Sequence, residues 1–288
     1  MSKDRAASVR ARLLALAKTE NSQFEGVLVR FALERLLYRL SISAHADRFV
    51  LKGALLFNLW YAMPHRATRD ADLLGFGSSD LESLRQVFSD IAGIEADDGI
   101  CFDPSSVKVE EIRHDADYAG ARVLIESVTA KARCKSQVDI GFGDIVIPGP
   151  VQATYPVLLS DLPAPMLKTY PVYTVIAEKF HAIVVLGMNN SRLKDYLDLW
   201  VLLTREALDL HILGESIAAT FVRRGTQLPS ITPVGLTDEF AEDKTRQNLW
   251  RRFLEKNQLD NAPLLSVVHD IRTKLSPAVL VASQFVQR

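Results

Sequence analysis

Lys52-Gly53-Ala54-Leu55-Leu56-Phe57-Asn58-Leu59-Trp60, followed by Arg66-Ala67-Thr68-Arg69-Asp70-Ala71-Asp72-Leu73-Leu74, is the stretch on which the fold turns. Its first part reads as a glycine turn opening an apolar helix. Its second part, after a loop containing Pro64, reads as a strand carrying carboxylates at positions i and i+2. Alternate side chains leave the same face of a strand, so Asp70 and Asp72 stand one pleat repeat apart on one side. Such a pair can hold a divalent cation. It can also be a pair of solvated strand-end acids matched to Arg66 and Arg69. Spacing alone does not choose, because Asp115-Ala116-Asp117 repeats it in a polar stretch that reads as a loop. What sets the first pair apart is Asp139 on a later strand, since three carboxylates on neighbouring strands repel unless a cation offsets them.

Upstream, Ala6 to Lys18 and Gln23 to Leu40 read as helices. In the second, Phe24, Val27, Leu28, Phe31, Leu36 and Leu37 recur at helical spacing, with Arg30, Glu34 and Arg35 on the expected solvent side. Downstream, Ser78 to Ile91 reads as a helix with an acidic first turn. A strand-rich section then runs from about 107 to 147. In its last strand Lys131, Arg133, Lys135, Gln137 and Asp139 share one parity, which makes a basic stripe ending at a carboxylate. The stripe suits either a phosphate backbone or a solvated strand face. Gly141-Phe142-Gly143-Asp144 turns the chain.

Residues 151–171, with Pro156, Pro163, Pro165 and Pro171, read as a rigid linker. Beyond it the pattern is helical: Val175 to Leu186, Arg192 to Thr204, Ile212 to Arg223, Thr237 to Lys256 and Ala262 to Leu275. The division expected is therefore 1–150, N-terminal helices with a mixed α/β lobe; 151–171, linker; and 172–288, helical lobe.

Composition narrows the function. A net charge of −1 argues against coating nucleic acid by bulk electrostatics, though not against a local basic patch. No apolar run approaches the roughly 20 residues of a membrane span, and the polar N-terminus lacks a secretory signal, so the expected location is cytoplasmic. Cys101 and Cys134 sit in unrelated contexts, implying neither a disulfide nor zinc, and both read as packing residues. Gly53 offers backbone N–H groups and a helix dipole to a phosphate, or is an ordinary strand-to-helix turn. Lys179 is a phosphate-binding cation or an exposed helix residue. Asp195 and Asp198, with Arg192 and Lys194, are most simply a charged helix face.

Taken in order, Gly53-Ala54, Arg66-x-Thr68-x-Asp70-x-Asp72, Val138-Asp139-Ile140-Gly141-Phe142-Gly143-Asp144, Tyr170-Pro171 through Ala177-Glu178-Lys179-Phe180, and Asn190-Ser191-Arg192-x-Lys194-Asp195-x-x-Asp198-Leu199 resemble the AbiEii/AbiGii-type toxin family of nucleotidyltransferases. The resemblance spans about residues 45–205. It implies a polymerase-beta-type nucleotidyltransferase lobe with a mixed sheet and a helical second lobe. It further implies a toxin of a toxin–antitoxin system, with a cognate antitoxin, that uses two Mg²⁺ ions to transfer a nucleotide from an NTP to RNA, namely the tRNA 3′ end, and so blocks translation.

By position, the resemblance makes Asp70, Asp72 and Asp139 metal ligands, Gly53 and Ala54 backbone phosphate contacts, and Lys179 a triphosphate contact on the helical side of a cleft. Asp195 or Asp198 is the acid of the last motif, with Asp195 preferred. Lys131, Arg133 and Lys135, joined by Arg223, Arg224, Arg246, Arg251 and Arg252, would guide the acceptor. Two departures stand out: Ala54 brings no hydroxyl, and Tyr173 replaces a glutamate expected after Tyr170-Pro171. Competing readings keep the chemistry but change the acceptor to a small molecule or protein side chain, or make the fold a catalytically silent partner-binding module. Intact Asp70, Asp72, Asp139 and Lys179 speak against silence.

Overall fold

The computed structural model describes residues 3–61, 68–115 and 118–286, which divide into two compact units. The first comprises Met1–Gly143 with Val151–Thr169, and the second comprises Asp144–Pro150 with Tyr170–Arg288.

In the first unit, α1 (Lys3–Thr19) and α2 (Phe24–Ile42) precede β1 (Phe49–Lys52). A 3₁₀ turn, Gly53–Leu56, and a single α turn, α3 (Phe57–Trp60), follow. Next come β2 (Asp70–Gly75), α4 (Leu81–Gly93), β3 (Cys101–Phe102), β4 (Lys108–Asp115), β5 (Tyr118–Thr129) and β6 (Ala132–Phe142). Then β7 (Val151–Thr154) and β8 (Met166–Thr169) return the chain to the same sheet. The sheet runs β3-β5-β6-β2-β1-β8-β7, with β4 also on β5. It is mixed: β2 lies parallel to β6 and β1 parallel to β8, while the other pairs are antiparallel.

One face is apolar and covered. Ala71, Leu73, Val123, Ile125, Val138 and Ile140 are buried on it, and α1, α2 and α4 pack against the sheet. The residues between them, Asp70, Asp72, Arg122 and Gln137, are half-buried on the opposite face, and Arg133 and Lys135 are exposed. Alternation along β2, β5 and β6 therefore produces a dry face and a polar one.

Three expectations fail here for physical reasons. Glu34 and Arg35 are not on a solvent side but are almost wholly buried, because α2 is covered twice. Beyond the sheet, the 155–165 segment lies over it: Glu34 accepts from Leu158 N at 2.6 Å, and Arg35 donates to Pro163 O at 2.9 Å. The span read as a linker carries β7 and β8, whose residues lie between the prolines rather than on them. Cys101 is exposed rather than packed, whereas Cys134 is buried and both thiols are free. Asp115 ends β4, and the control pair's Asp117 lies outside the described residues, as does Arg66.

The second unit carries α5 (Val172–Leu186), α6 (Leu193–Arg205), α7 (Leu210–Arg223), α8 (Asp238–Glu242), α9 (Lys244–Lys256) and α10 (Leu264–Val286), with a longer connection holding a 3₁₀ turn, Val234–Leu236, between α7 and α8. The helix expected over 237–256 is two, because Asp243 leaves the helical conformation and its side chain accepts from Arg246 N to cap α9. Conversely, α10 runs past 275 and through Pro277. Among the described residues no helix is long and apolar enough to cross a membrane.

Candidate active site

Two strands and a turn of the first unit bring the acids together. Asp70 and Asp72 lie on β2, whose register with β6 sets Asp70 beside Gln137 and Asp72 beside Asp139. On the far side Lys52 of β1 is the partner of Asp72, and beyond β6 Arg122 of β5 is the partner of Asp139. Glu110 of β4 is in turn opposite Arg122. A single row crossing the sheet thus reads Lys52, Asp72, Asp139, Arg122, Glu110.

Gly53 has φ +72°, and a Cβ there would stand 2.0 Å from Asp72 Oδ2. Both facts require glycine: the backbone is left-handed, and the carboxylate rests where a side chain would be. Gly53 is thus the floor beneath Asp72. The helix after it is shorter than expected, one 3₁₀ turn and one α turn, so Gly53 and Ala54 offer individual backbone N–H groups rather than a sizeable helix dipole. Asp70 is oriented by Thr68, whose Oγ1 donates to Asp70 Oδ1 at 3.0 Å.

Asp139 is 5% exposed and saturated by donors. Arg122 grips it with both arms, Nε to Oδ1 at 2.8 Å and Nη2 to Oδ2 at 2.8 Å, and Gln137 Nε2 adds a contact to Oδ1 at 3.2 Å. The hydrogen bonds to Asp139 hold the Arg122 proton more tightly than usual, helped by the charges of Asp139, Asp70 and Glu110 and opposed by burial. Arg122 is the participant that motif spacing does not reveal, whereas Gln137 shares with Asp139 a strand parity legible in the sequence. The sequence signal for Arg122 is slight, a cation just before the apolar run Val123-Leu124-Ile125.

Among the described residues, no three Asp, Glu, His or Cys side chains form a ready ion cage. The donor chemistry nevertheless fits Mg²⁺, a hard cation usually held by one or two carboxylates plus substrate phosphates rather than by an all-protein cage. Asp70 and Asp72 supply that minimum, while Asp139 is alongside but bound to Arg122.

The basic stripe is partly as expected in placement. Arg133 and Lys135 project from β6 on the parity of Asp139 and are exposed, with Lys135 opposite Glu126 of β5, while Lys131 sits in the preceding turn.

The second unit holds the remaining predicted residues. Lys179 of α5 is 13% exposed, not a surface lysine, and its Nζ lies 2.7 Å from Asp195 Oδ1 and 2.7 Å from Asp198 Oδ2. Arg192 Nε adds 2.9 Å to Asp195 Oδ2. The Asp195/Asp198 face of α6 is consequently buried rather than solvated, and it is Lys194 that points outward. Arg224, counted among the acceptor-guiding cations, is largely buried: its Nη2 binds Asp144 Oδ1 at 2.9 Å, and its Nη1 lies 3.4 Å from His181 Nδ1. Arg246 donates to Met188 O, whereas Arg223, Arg251 and Arg252 are exposed. Tyr173, in place of the expected glutamate, accepts from Asp209 N at 3.2 Å through its hydroxyl.

A protein-family model described as "Nucleotidyl transferase AbiEii toxin, Type IV TA system" matches residues 35–276. Two crystal structures are distantly similar. One is a proposed nucleotidyltransferase from H. pylori, 14% identical, with 92% of this chain and 97% of that chain covered and a TM-score of 0.48. The other is JHP933 from Helicobacter pylori, 13% identical, with 92% and 94% covered and a TM-score of 0.49. No curated protein matches the sequence.

Proposed function

The chain belongs to the AbiEii nucleotidyltransferase toxin family of type IV toxin–antitoxin systems, and from that premise we propose that it transfers a nucleotide from an NTP to an RNA acceptor, the tRNA 3′ end, and thereby blocks translation. Such a family also implies a cognate antitoxin. The observation that carries the reading is the polar sheet face that Asp70 and Asp72 share, with Asp72 standing over Gly53 and Asp139 in register beside Asp72.

In this reading Asp70 and Asp72 hold Mg²⁺, which when bound stabilises the attacking and leaving oxygens of an in-line displacement. Gly53 keeps the floor clear so that the Asp72 carboxylate stays on the polar face, and the Gly53 and Ala54 amides hydrogen-bond phosphate. Asp139, in register beside Asp72, would join Asp70 and Asp72 as the third acid ligand and help orient or deprotonate the acceptor hydroxyl. In the second unit, taken by itself, Asp195 and Asp198 hold Lys179, the cation that the family resemblance assigns to the triphosphate. Exposed Arg133 and Lys135, with Lys131, guide an RNA backbone towards Asp139. No side chain acts as a covalent nucleophile.

The test is incubation of the protein with each radiolabelled NTP, Mg²⁺ and total RNA. Label on the 3′ end of tRNA is the expected result. Label on a protein or a small molecule, with RNA unlabelled, would move the acceptor and leave the chemistry. No transfer with any NTP would remove both.

A further inference from the structure

The acids of the polar face are not waiting as an open cluster. Asp72 and Asp139 are register partners on adjacent parallel strands, where like charges repel. The repulsion is offset by Arg122, which takes both oxygens of Asp139 in a two-point grip. The geometry is asymmetric. Asp139 is 6% exposed at its side chain and Arg122 36%, so the carboxylate is the buried member of the pair and the guanidinium, reaching it from the neighbouring strand β5, is the one open to solvent. Gln137 occupies part of what the arginine leaves over, at 3.2 Å from Oδ1 and 3.4 Å from Oδ2. Both Asp139 oxygens already accept from Arg122, so a divalent ion approaching them meets the guanidinium as a competitor.

We propose that Arg122 is the resident counter-ion of the site, a positioning residue that holds Asp139 in the cation-free protein and competes with the divalent cation for it. Cation binding then requires the guanidinium to yield. Once displaced, it is a planar, permanently charged group on the polar face, suited to a phosphate of the incoming substrate. The site in this way exchanges one cation for another instead of gathering bare negative charge. The inference rests on the reading of Asp70, Asp72 and Asp139 as cation ligands.

Mn²⁺ titration of the NTP-free full chain, followed by calorimetry and by the electron-spin signal of free Mn²⁺, tests it. Arg122→Met removes the competitor and keeps much of the stem. It should bind Mn²⁺ about tenfold more tightly than the parent, the scale of one charge-assisted hydrogen bond. It should also show a lower melting temperature without Mn²⁺ and a larger rise with it. Arg122→Lys, which makes at most one of the two contacts, should fall between. In an Asp139→Asn background Arg122→Met should change nothing, because the object of competition is gone. Unchanged or weaker Mn²⁺ binding in Arg122→Met overturns the proposal, and so does an equal gain in the Asp139→Asn background. If Arg122→Met does not fold, Arg122→Lys decides, and parental affinity there overturns it. Asp72→Asn separates this from the underlying reading. If Asp72→Asn binds Mn²⁺ as the parent does, the cation site itself is misplaced; if it abolishes binding while Arg122 variants match the parent, only the counter-ion role fails.

Discussion

At the scale of single residues, the strictest constraint is the space above Gly53. Gly53→Ala puts a methyl group 2.0 Å from Asp72 Oδ2 on a backbone at φ +72°, so the carboxylate or the turn must move. A loss of about 1–3 kcal/mol in denaturant melts is expected, together with a marked fall in transfer. Asp70→Asn should separate the two effects: transfer falls by about 100-fold or more, since bound metal supplies several kcal/mol, while the melting temperature holds or rises as repulsion with Asp72 and Asp139 eases. A folded Asp70→Asn protein with parental activity would refute the assignment. Glu34 carries a pH prediction. Burial pushes its carboxyl from 4.5 up to about 7, against the pull of Arg35 and the Leu158 amide. The folded protein then binds the proton more tightly than the unfolded chain does. Its contribution to stability is therefore present below about pH 4.5 and is lost as pH rises through about 7. Melting temperatures across that window should fall less in Glu34→Gln than in the parent.

At the scale of elements, β6 joins the catalytic and binding hypotheses, because Arg133 and Lys135 share the parity of Asp139 along one strand. Replacing Lys131, Arg133 and Lys135 together with Gln should weaken RNA binding and reduce the salt slope by about 2, with NTP affinity nearly unchanged. An unaltered slope would return the stripe to a solvated strand face. This strand also shows what a sequence discloses. Asp70 and Asp72 are legible because their relation is local, two residues on one strand. Arg122 is not, because it meets Asp139 from 17 residues away in a register that only strand pairing creates. Glu34 and Arg35 mislead for a similar reason: amphipathic reasoning assumes that a helix has one covered face, and α2 has two. Asp195 and Asp198 look like a solvated helix face until Lys179 arrives from α5 to meet them. The break at Asp243 was open to reading, since Asp followed by Lys-Thr-Arg is an ordinary helix start.

At the scale of the whole molecule, the alternation of strands and then helices declares a mixed α/β part followed by a helical one, but the border between them is not where the prolines suggest. Pro150, Pro156, Pro165 and Pro171 flank β7 and β8 instead of marking a free linker. Tyr155, Leu159, Leu162 and Leu167 of this segment are buried. At roughly 1.5–3 kcal/mol per large apolar side chain, their loss rivals the whole stability of a domain, about 5–15 kcal/mol. A fragment ending at residue 150 should therefore lack a cooperative calorimetric transition, whereas one ending at 169 should recover it. Equal melting of both fragments would restore 151–169 to the status of a linker. The same arrangement has a genetic side. The chain passes between the units after residues 143, 150 and 169, so neither unit is encoded by one uninterrupted stretch of the gene. A single recombination breakpoint cannot transplant the carboxylate-bearing unit intact, and lineages must inherit the two parts together or exchange them by the rarer route of several crossovers in one event.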